Sequence, residues 1–327
     1  MNLGLKRDVC LFILGITKDQ LYYKSTGNKP GKRASTTTVW RDPATKIKYE
    51  ISNEEVVNKA VEIKLDPDQA NGYRLICFRL KILGYYINHK KLYRLFKEYH
   101  LLEKARKKIG RDFVKYRRVC PSGPLEVIEM DIKYVWVEGK RKYAYILTVI
   151  DTFTRYVLSW DLGFTMKSVQ VKKMWEHLIV EYLQPLRSAG RQLDIEIRND
   201  NGKQFCSKMI MAFFAENQLD QVFTHPYTPE ENGHVESFHK TLGVALKGHH
   251  FTGLESLKNR LLRFYKTYNN IRSHGSTLGI APAKFWSLYD QNKIEVVPLE
   301  KRRQKFILSI PYQDILTLPK INDYDFG

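Results

Sequence analysis

The sequence predicts an α/β protein, a five-stranded mixed sheet with helices on its faces, preceded by a helix-turn-helix region. Three observations carry this. Strand patterns follow one another at about 126–137, 142–150 and 154–161, with Gly139 in the first turn and Asp151-Thr152-Phe153 in the second. A helix from about Ser168 to Tyr182 then leads into strand 193–197, helix 204–217, strand 221–225 and a helix carrying Glu236. Antiparallel strands followed by alternating helix and strand fit a mixed sheet covered on both faces. Finally, 54 Lys and Arg against 35 Asp and Glu leave a net charge of +19 over 327 residues, which favours a polyanionic partner, nucleic acid above all.

Four regions are expected: 1–50, a short helical segment and linker; 51–120, a helix-turn-helix-like region with a basic connector; 121–290, the α/β core; and 291–327, a basic tail. In the first, two short helices flank Gly15 and Thr17 caps the second. Lys6-Arg7 before Val9–Ile16 imitates a signal peptide, but the apolar run is short and Thr17-Lys18-Asp19 follows it, so a buried helix is the expectation. Residues 25–50 are polar and read as linker or exposed loop. Residues 53–65 carry a helical pattern that Asp66-Pro67-Asp68 ends. Gly72 opens a helix to Leu83, Gly84–Asn88 makes a turn, and a second helix runs from His89 to about His100, burying Leu92, Leu95 and Phe96. Its outer face carries Lys90, Lys91, Arg94 and Lys97, candidate DNA contacts. From 72 to 118 there are 15 basic against 3 acidic residues, and Lys104–Arg118 reads as a phosphate-tracking connector. Pro121-Ser122-Gly123-Pro124 marks the boundary to the core.

Within the core, Glu129, Asp131 and Lys133 share one strand face and Ile128, Met130, Ile132 and Tyr134 the other. Asp200 sits in Asn199-Asp200-Asn201-Gly202, turn chemistry at a strand's end. Phe205, Met209, Phe213 and Phe214 are read as the packed side of the following helix. Glu236 follows Asp200 with 35 residues between them, after Pro229-Glu230-Glu231-Asn232-Gly233. This Asp…Asp-x35-Glu arrangement, with Asn-Asp-Asn-Gly at the second acid and Pro-x-x-Asn-Gly-x-x-Glu at the third, resembles the retroviral-integrase-like transposase core. It is most similar to the IS3-type insertion-sequence transposases, their OrfB product, over roughly 55–290. Tyr268-Asn269-x-x-Arg272-x-His274 and Leu278-x-x-x-Pro282 are similar to that family's closing motifs. The resemblance implies a ribonuclease-H-like fold and a DDE-type polynucleotidyl transferase that cuts DNA at element ends and joins the freed 3′-OH to new DNA.

Three converging carboxylates without matching cations repel unless a divalent metal lies between them, and oxygen ligands suit Mg2+ or Mn2+. Two ions held by Asp131, Asp200 and Glu236 could serve an in-line displacement. Ion pairing of Asp131 with Lys133 is the competing structural reading, and Glu129 is an alternative ligand. Asp151 and Asp161 read as turn residues. Glu236, His239 and Lys240 lie on one helix face, so His239 and Lys240 are candidate DNA contacts. Asn232 is read as capping that helix or touching DNA, and Arg272 and His274 as structural before DNA-binding. The sequence departs from the family at Gly243, where a Lys or Arg is usual. The tail's Lys301–Lys305 and Phe306–Ile310 could bind DNA or add a strand. The cofactor expected is Mg2+ or Mn2+. The partners expected are double-stranded DNA, a second copy when ends are synapsed, and an upstream OrfA-type protein. Four scattered cysteines suit reduced thiols, and no run approaches the ~20 apolar residues of a membrane span. A cytoplasmic, nucleoid-associated bacterial protein is the resulting expectation. The competing functions are a DNA-binding regulator and a nuclease of the same fold.

Overall fold

The computed structural model describes residues 7–22, 34–69, 72–103, 119–224, 232–300 and 303–317. The chain divides into two compact units, Met1–Thr36 and Thr37–Gly327. The first contains α1 (Arg7–Leu14) and α2 (Lys18–Tyr22). Gly15 separates them at φ +64°, and Thr17 caps α2 through Gln20 N–H to Oγ1 at 3.2 Å. The buried helix expected here is not found: only Leu11 of α1 is buried, and Phe12 is 88% exposed.

The second unit opens with an antiparallel pair, β1 (Thr37–Arg41) and β2 (Lys48–Ser52), where the sequence suggested only loop. Residues 23–33 of that stretch lie outside the described residues. Ser52 then starts α3 (Asn53–Leu65) with a capping box to Glu55. Next come α4 (Tyr73–Ile82) and α5 (His89–Glu98), the latter capped by Asn88, which accepts Lys91 N–H at 2.8 Å. Val56, Ile76, Leu80, Leu92, Leu95 and Phe96 form their shared core. The connector Lys104–Arg118 lies outside the described residues.

The sheet follows as β3 (Val127–Val137), β4 (Lys142–Asp151) and β5 (Val157–Gly163), an antiparallel meander. A helix α6 (Ser168–Leu178) runs on through a π turn, Ile179–Leu183, into α7 (Gln184–Ser188). Then come β6 (Ile195–Asn199), α8 (Lys208–Glu216), β7 (Leu219–Phe223) and α9 (Gly233–Leu246). The order is β5-β4-β3-β6-β7, with β3, β6 and β7 parallel. Even-numbered β3 residues Ile128, Met130 and Ile132 face one core with Trp175 of α6 and Phe213 and Phe214 of α8. On α8, Ile210 is buried and Met209 is 38% exposed, reversing the expectation for Met209. The other face packs Ile146 and Ile150 of β4 against Phe238 and Leu242 of α9 and against α10 (Leu254–Asn270).

Helix α10 ties the chain together. Asn269 bonds both N–H and C=O of Val157 on β5, at 2.9 and 3.0 Å. From the middle of the helix Arg260 and Arg263 grip the fully buried Asp68 carboxylate, and Arg272, just past its C-terminus, donates to the Asp68 carbonyl at 2.8 Å. Beyond α11 (Pro282–Asp290), β8 (Ile294–Leu299) and β9 (Arg303–Leu308) pair antiparallel, and Phe306 packs on Phe153 and Phe285. The apolar tail run therefore adds a strand. Among the described residues no helix is long and apolar enough to cross a membrane.

Candidate active site

Strands β3 and β6 pair only over Val127–Glu129. Past that point β6 leaves the sheet at Asn199 while β3 runs on. The crevice outside the carboxyl end of a parallel strand is where open α/β sheets bind ligands, and both aspartates lie there. Asp131 is on β3, its side chain 23% exposed. Asp200 follows β6 directly, and its loop is heavily fastened. Asn199 Nδ2 donates to the Asp200 carbonyl at 2.7 Å, Gln221 Nε2 to Asn199 Oδ1 at 3.0 Å, and Gly202 N–H to Asp200 Oδ1 at 3.0 Å. Any Cβ at Gly202 would collide with the Gln204 side chain and lie 2.9 Å from Asp200 Oδ1. Glycine lets the Gln204 side chain lie close over the acid.

Asp200 feels the charge of Asp131. Burial pushes the Asp200 carboxyl above its ordinary range, and the negative charge of Asp131 pushes it further, against the Gly202 hydrogen bond. Tyr134 registers the same field: burial raises its phenol first, then Tyr145, Asp200 and Asp131. The ion pair considered for Asp131 and Lys133 does not form among the described residues. Asp131 Oδ2 instead meets His239 Nδ1 at 3.2 Å.

Helix α9 brings the third acid. Its placement comes from Glu129, a wholly buried carboxylate on β3. Glu129 Oε2 accepts the backbone N–H groups of His234 and Val235 at 2.9 and 2.8 Å, and Oε1 meets His234 Nδ1 at 2.6 Å. An anion on the free N–H groups of a helix start is doubly favoured, by hydrogen bonding and by the helix dipole. Glu129 is thus the cap of α9, with both oxygens engaged by the helix start. Asn232, expected as the cap, makes no side-chain cap bond; it is buried with Nδ2 3.4 Å from the Met130 carbonyl. Glu236, half-buried, lies one turn before His239 on the face that meets Asp131. Residues 225–231, ahead of this helix, lie outside the described residues. Among the described residues no three His, Cys, Asp or Glu side chains are close enough to hold a metal ion as they stand.

The proposed DNA contacts separate. Lys240 is exposed, whereas His239 is buried against Asp131. On α5, Lys90 and Lys97 are exposed; Lys91 donates to the Thr37 carbonyl and Arg94 pairs with Glu98 at 3.5 Å. Arg74, Lys81 and His89 line a shared pocket with Cys77 and Phe78, a basic cluster that sequence spacing hides because it spans two helices. Arg272 and His274 are structural: His274 packs edge-on against Tyr268, centroids 4.6 Å apart, and burial pushes its imidazole down to about 3. Asp151, the last residue of β4, fastens the turn that follows, accepting Leu125 and Thr154 N–H groups at 2.9 and 2.7 Å. Asp161 lies within β5, not in a turn.

A mixed five-stranded sheet in this order, with one acid within the central strand β3 and another just past the end of its parallel neighbour β6, defines a ribonuclease-H-like core. Comparison with known proteins agrees. Two models of the integrase core domain match residues 121–229 and 217–282. A 39.2 kDa protein of insertion element IS476 in Xanthomonas euvesicatoria is 27% identical over 67% of this chain and 61% of its own length. A 31.7 kDa protein of insertion element IS407 in Burkholderia multivorans is 24% identical, over 65% of this chain and 74% of its own. The transposase for IS904 of Lactococcus lactis is 22% identical over 47% of this chain and 59% of its own. Residues 121–282 therefore match the integrase core domain, and the chain is similar to proteins of bacterial insertion elements. It spans about three-fifths of the first of these relatives.

Proposed function

We propose that this chain is a DNA transposase that cleaves phosphodiesters at element ends and transfers the resulting 3′-OH into target DNA. The observation that carries this reading is the placement of two partly open carboxylates side by side, Asp131 on β3 and Asp200 just past the end of the neighbouring parallel strand β6, with the start of the Glu236 helix pinned to β3 beside them. Neighbouring carboxylates are stabilised when a cation lies between them, and the donor set, oxygen only, fits Mg2+ or Mn2+. Asp131, Asp200 and Glu236 would hold the ions, Glu236 approaching on α9. Bound there, such ions lower the pKa of an attacking water or hydroxyl and stabilise the departing oxygen.

The protein's own contributions are positional. His239 fixes the rotamer of Asp131, the bonded loop fixes Asp200, and the Glu129 cap sets the height of α9 and so of Glu236. In cleavage, a water oxygen bonds to phosphorus as the bond to the 3′ oxygen breaks. In joining, that 3′ oxygen attacks a second phosphodiester and displaces its 3′ oxygen. One P–O bond forms for each broken, so no energy-rich cofactor is required. Lys90 and Lys97 on α5, Lys240 on α9 and the +19 net charge would hold DNA by its phosphates, with 51–120 as the DNA-binding region and two copies bringing two ends together.

The test is nicking of supercoiled plasmid and joining of a 3′-OH oligonucleotide, with Mg2+, Mn2+ or EDTA, comparing the wild type with Glu236→Gln. Metal-dependent nicking and joining that the substitution abolishes supports the reading. Nicking without joining would indicate a nuclease, and DNA binding with no chemistry in either metal a regulator.

A further inference from the structure

Lys133 is the second residue past Asp131 on the same face of β3, about 7 Å further along the strand. Its half-buried side chain crosses to α9 and ends over Gly243. A Cβ built on Gly243 would lie 3.5 Å from Lys133 Nζ and 3.7 Å from Cε, with no other atom within 4 Å. Gly243 stands two turns beyond Glu236, roughly 10 Å along the helix axis and on nearly the same face. The absent side chain leaves a slot between strand and helix, and the lysine stem fills it.

The ammonium has charge to give. Among the described residues the Lys133 side chain makes no hydrogen bond and no ion pair within 4 Å; burial disfavours its charge, the Asp131 carboxylate favours it at longer range, and that carboxylate is itself in direct contact with His239. A lysine held on the acids' side of a sheet, its apolar stem packed and its head unpaired, is arranged for an anion from solution. Beside a site that acts on phosphodiesters, that anion is a backbone phosphate one or two nucleotides from the reacting one.

We infer that Lys133, lodged over Gly243, is the phosphate-binding residue that fixes the DNA strand beside Asp131. This deepens the proposed function and rests on it. The lysine belongs to the strand, and the helix contributes only the missing side chain.

The experiment measures affinity of the full chain for a 30-base-pair duplex by fluorescence anisotropy between ~50 and ~200 mM salt. It uses the Glu236→Gln parent, so that binding is read without cleavage. Lys133→Met should weaken binding about 5- to 10-fold at the lower salt and reduce the slope of log K against log salt by about 1. Lys133→Arg should keep the parental slope. Adding Gly243→Lys to Lys133→Met, which supplies the ammonium from the helix side of the same slot, should restore it. A parental slope in Lys133→Met overturns the inference. So does a weakening that Lys133→Arg shares and that tracks a lower unfolding midpoint, because that marks a packing role. A parent that binds no DNA overturns the functional reading itself, and the inference with it.

Discussion

Glu129 and Asp131 lie two residues apart on one face of β3, and the chain puts them to opposite uses. Glu129 is fully buried, and both its oxygens are consumed by the start of α9. Asp131 is partly open, accepts Ile132 N–H at 2.7 Å and meets His239 at 3.2 Å, and lies near a second carboxylate whose proton affinity it raises. The first region is a solved electrostatic problem and the second an open one. Burial alone therefore does not mark a functional acid. What marks it is charge that the fold positions and leaves uncompensated.

The contrast can be broken at several points. The largest effect expected is on activity at the open site: Asp131→Asn should reduce cleavage at least ~1,000-fold, about 4 kcal/mol of barrier, while the urea unfolding midpoint stays at or above wild type. At the satisfied site the effect moves to stability. Glu129→Ala strips α9 of its cap and should lower unfolding free energy by about 3 kcal/mol in urea titrations; a loss near zero would mean that the helix start is not held there.

His274 extends the comparison to a buried base. Its folded-state pKa of about 3 lies below the ordinary 6.5, under burial and the nearby charges of Arg272 and Arg155. Stability from the neutral ring is therefore present above about pH 6.5 and lost as the pH falls toward 3, because only the unfolded chain takes up the proton. The slope should approach ~1.4 kcal/mol per pH unit, and a His274→Phe variant should show a flatter profile in that window.

The smallest effect concerns Asp200. Burial and Asp131 raise its folded pKa above the ordinary 3.8, so its ionisation weakens the fold as pH climbs past that value. Asp200→Asn should thus stabilise the metal-free protein at pH 7 by under ~1 kcal/mol. Added Mg2+ should raise the melting temperature of the wild type but not of this variant. Destabilisation by Asp200→Asn would remove the claim of conflict between the two aspartates.

Much of this was legible in the sequence, for reasons that differ by element. The meander, β6 and α9 follow from apolar period and turn residues, which are local. Asp131, Asp200 and Glu236 stood out through spacing and flanking motifs. The β1–β2 hairpin escaped because its strands are five residues each and its alternation is buried among Thr, Lys and Arg. Met209 and Ile210 are neighbours of similar hydropathy, so only the packed helix shows which is inside. The cap of α9 was misassigned to Asn232 because Asn is the usual capping residue at that position. Its replacement, Glu129, lies more than a hundred residues upstream, a partnership that no local period encodes. The Asp68 clamp by Arg260, Arg263 and Arg272 is equally non-local.

The most direct test sets the two neighbouring acids against each other in one assay. Metal-dependent nicking of supercoiled plasmid would be measured for Asp131→Asn and Glu129→Gln at a temperature where circular dichroism shows both folded. The account predicts no nicking by Asp131→Asn, and metal-dependent nicking by Glu129→Gln from a protein that melts earlier than wild type. A nicking-competent Asp131→Asn, or a Glu129→Gln that is as stable as wild type yet inactive, would contradict it.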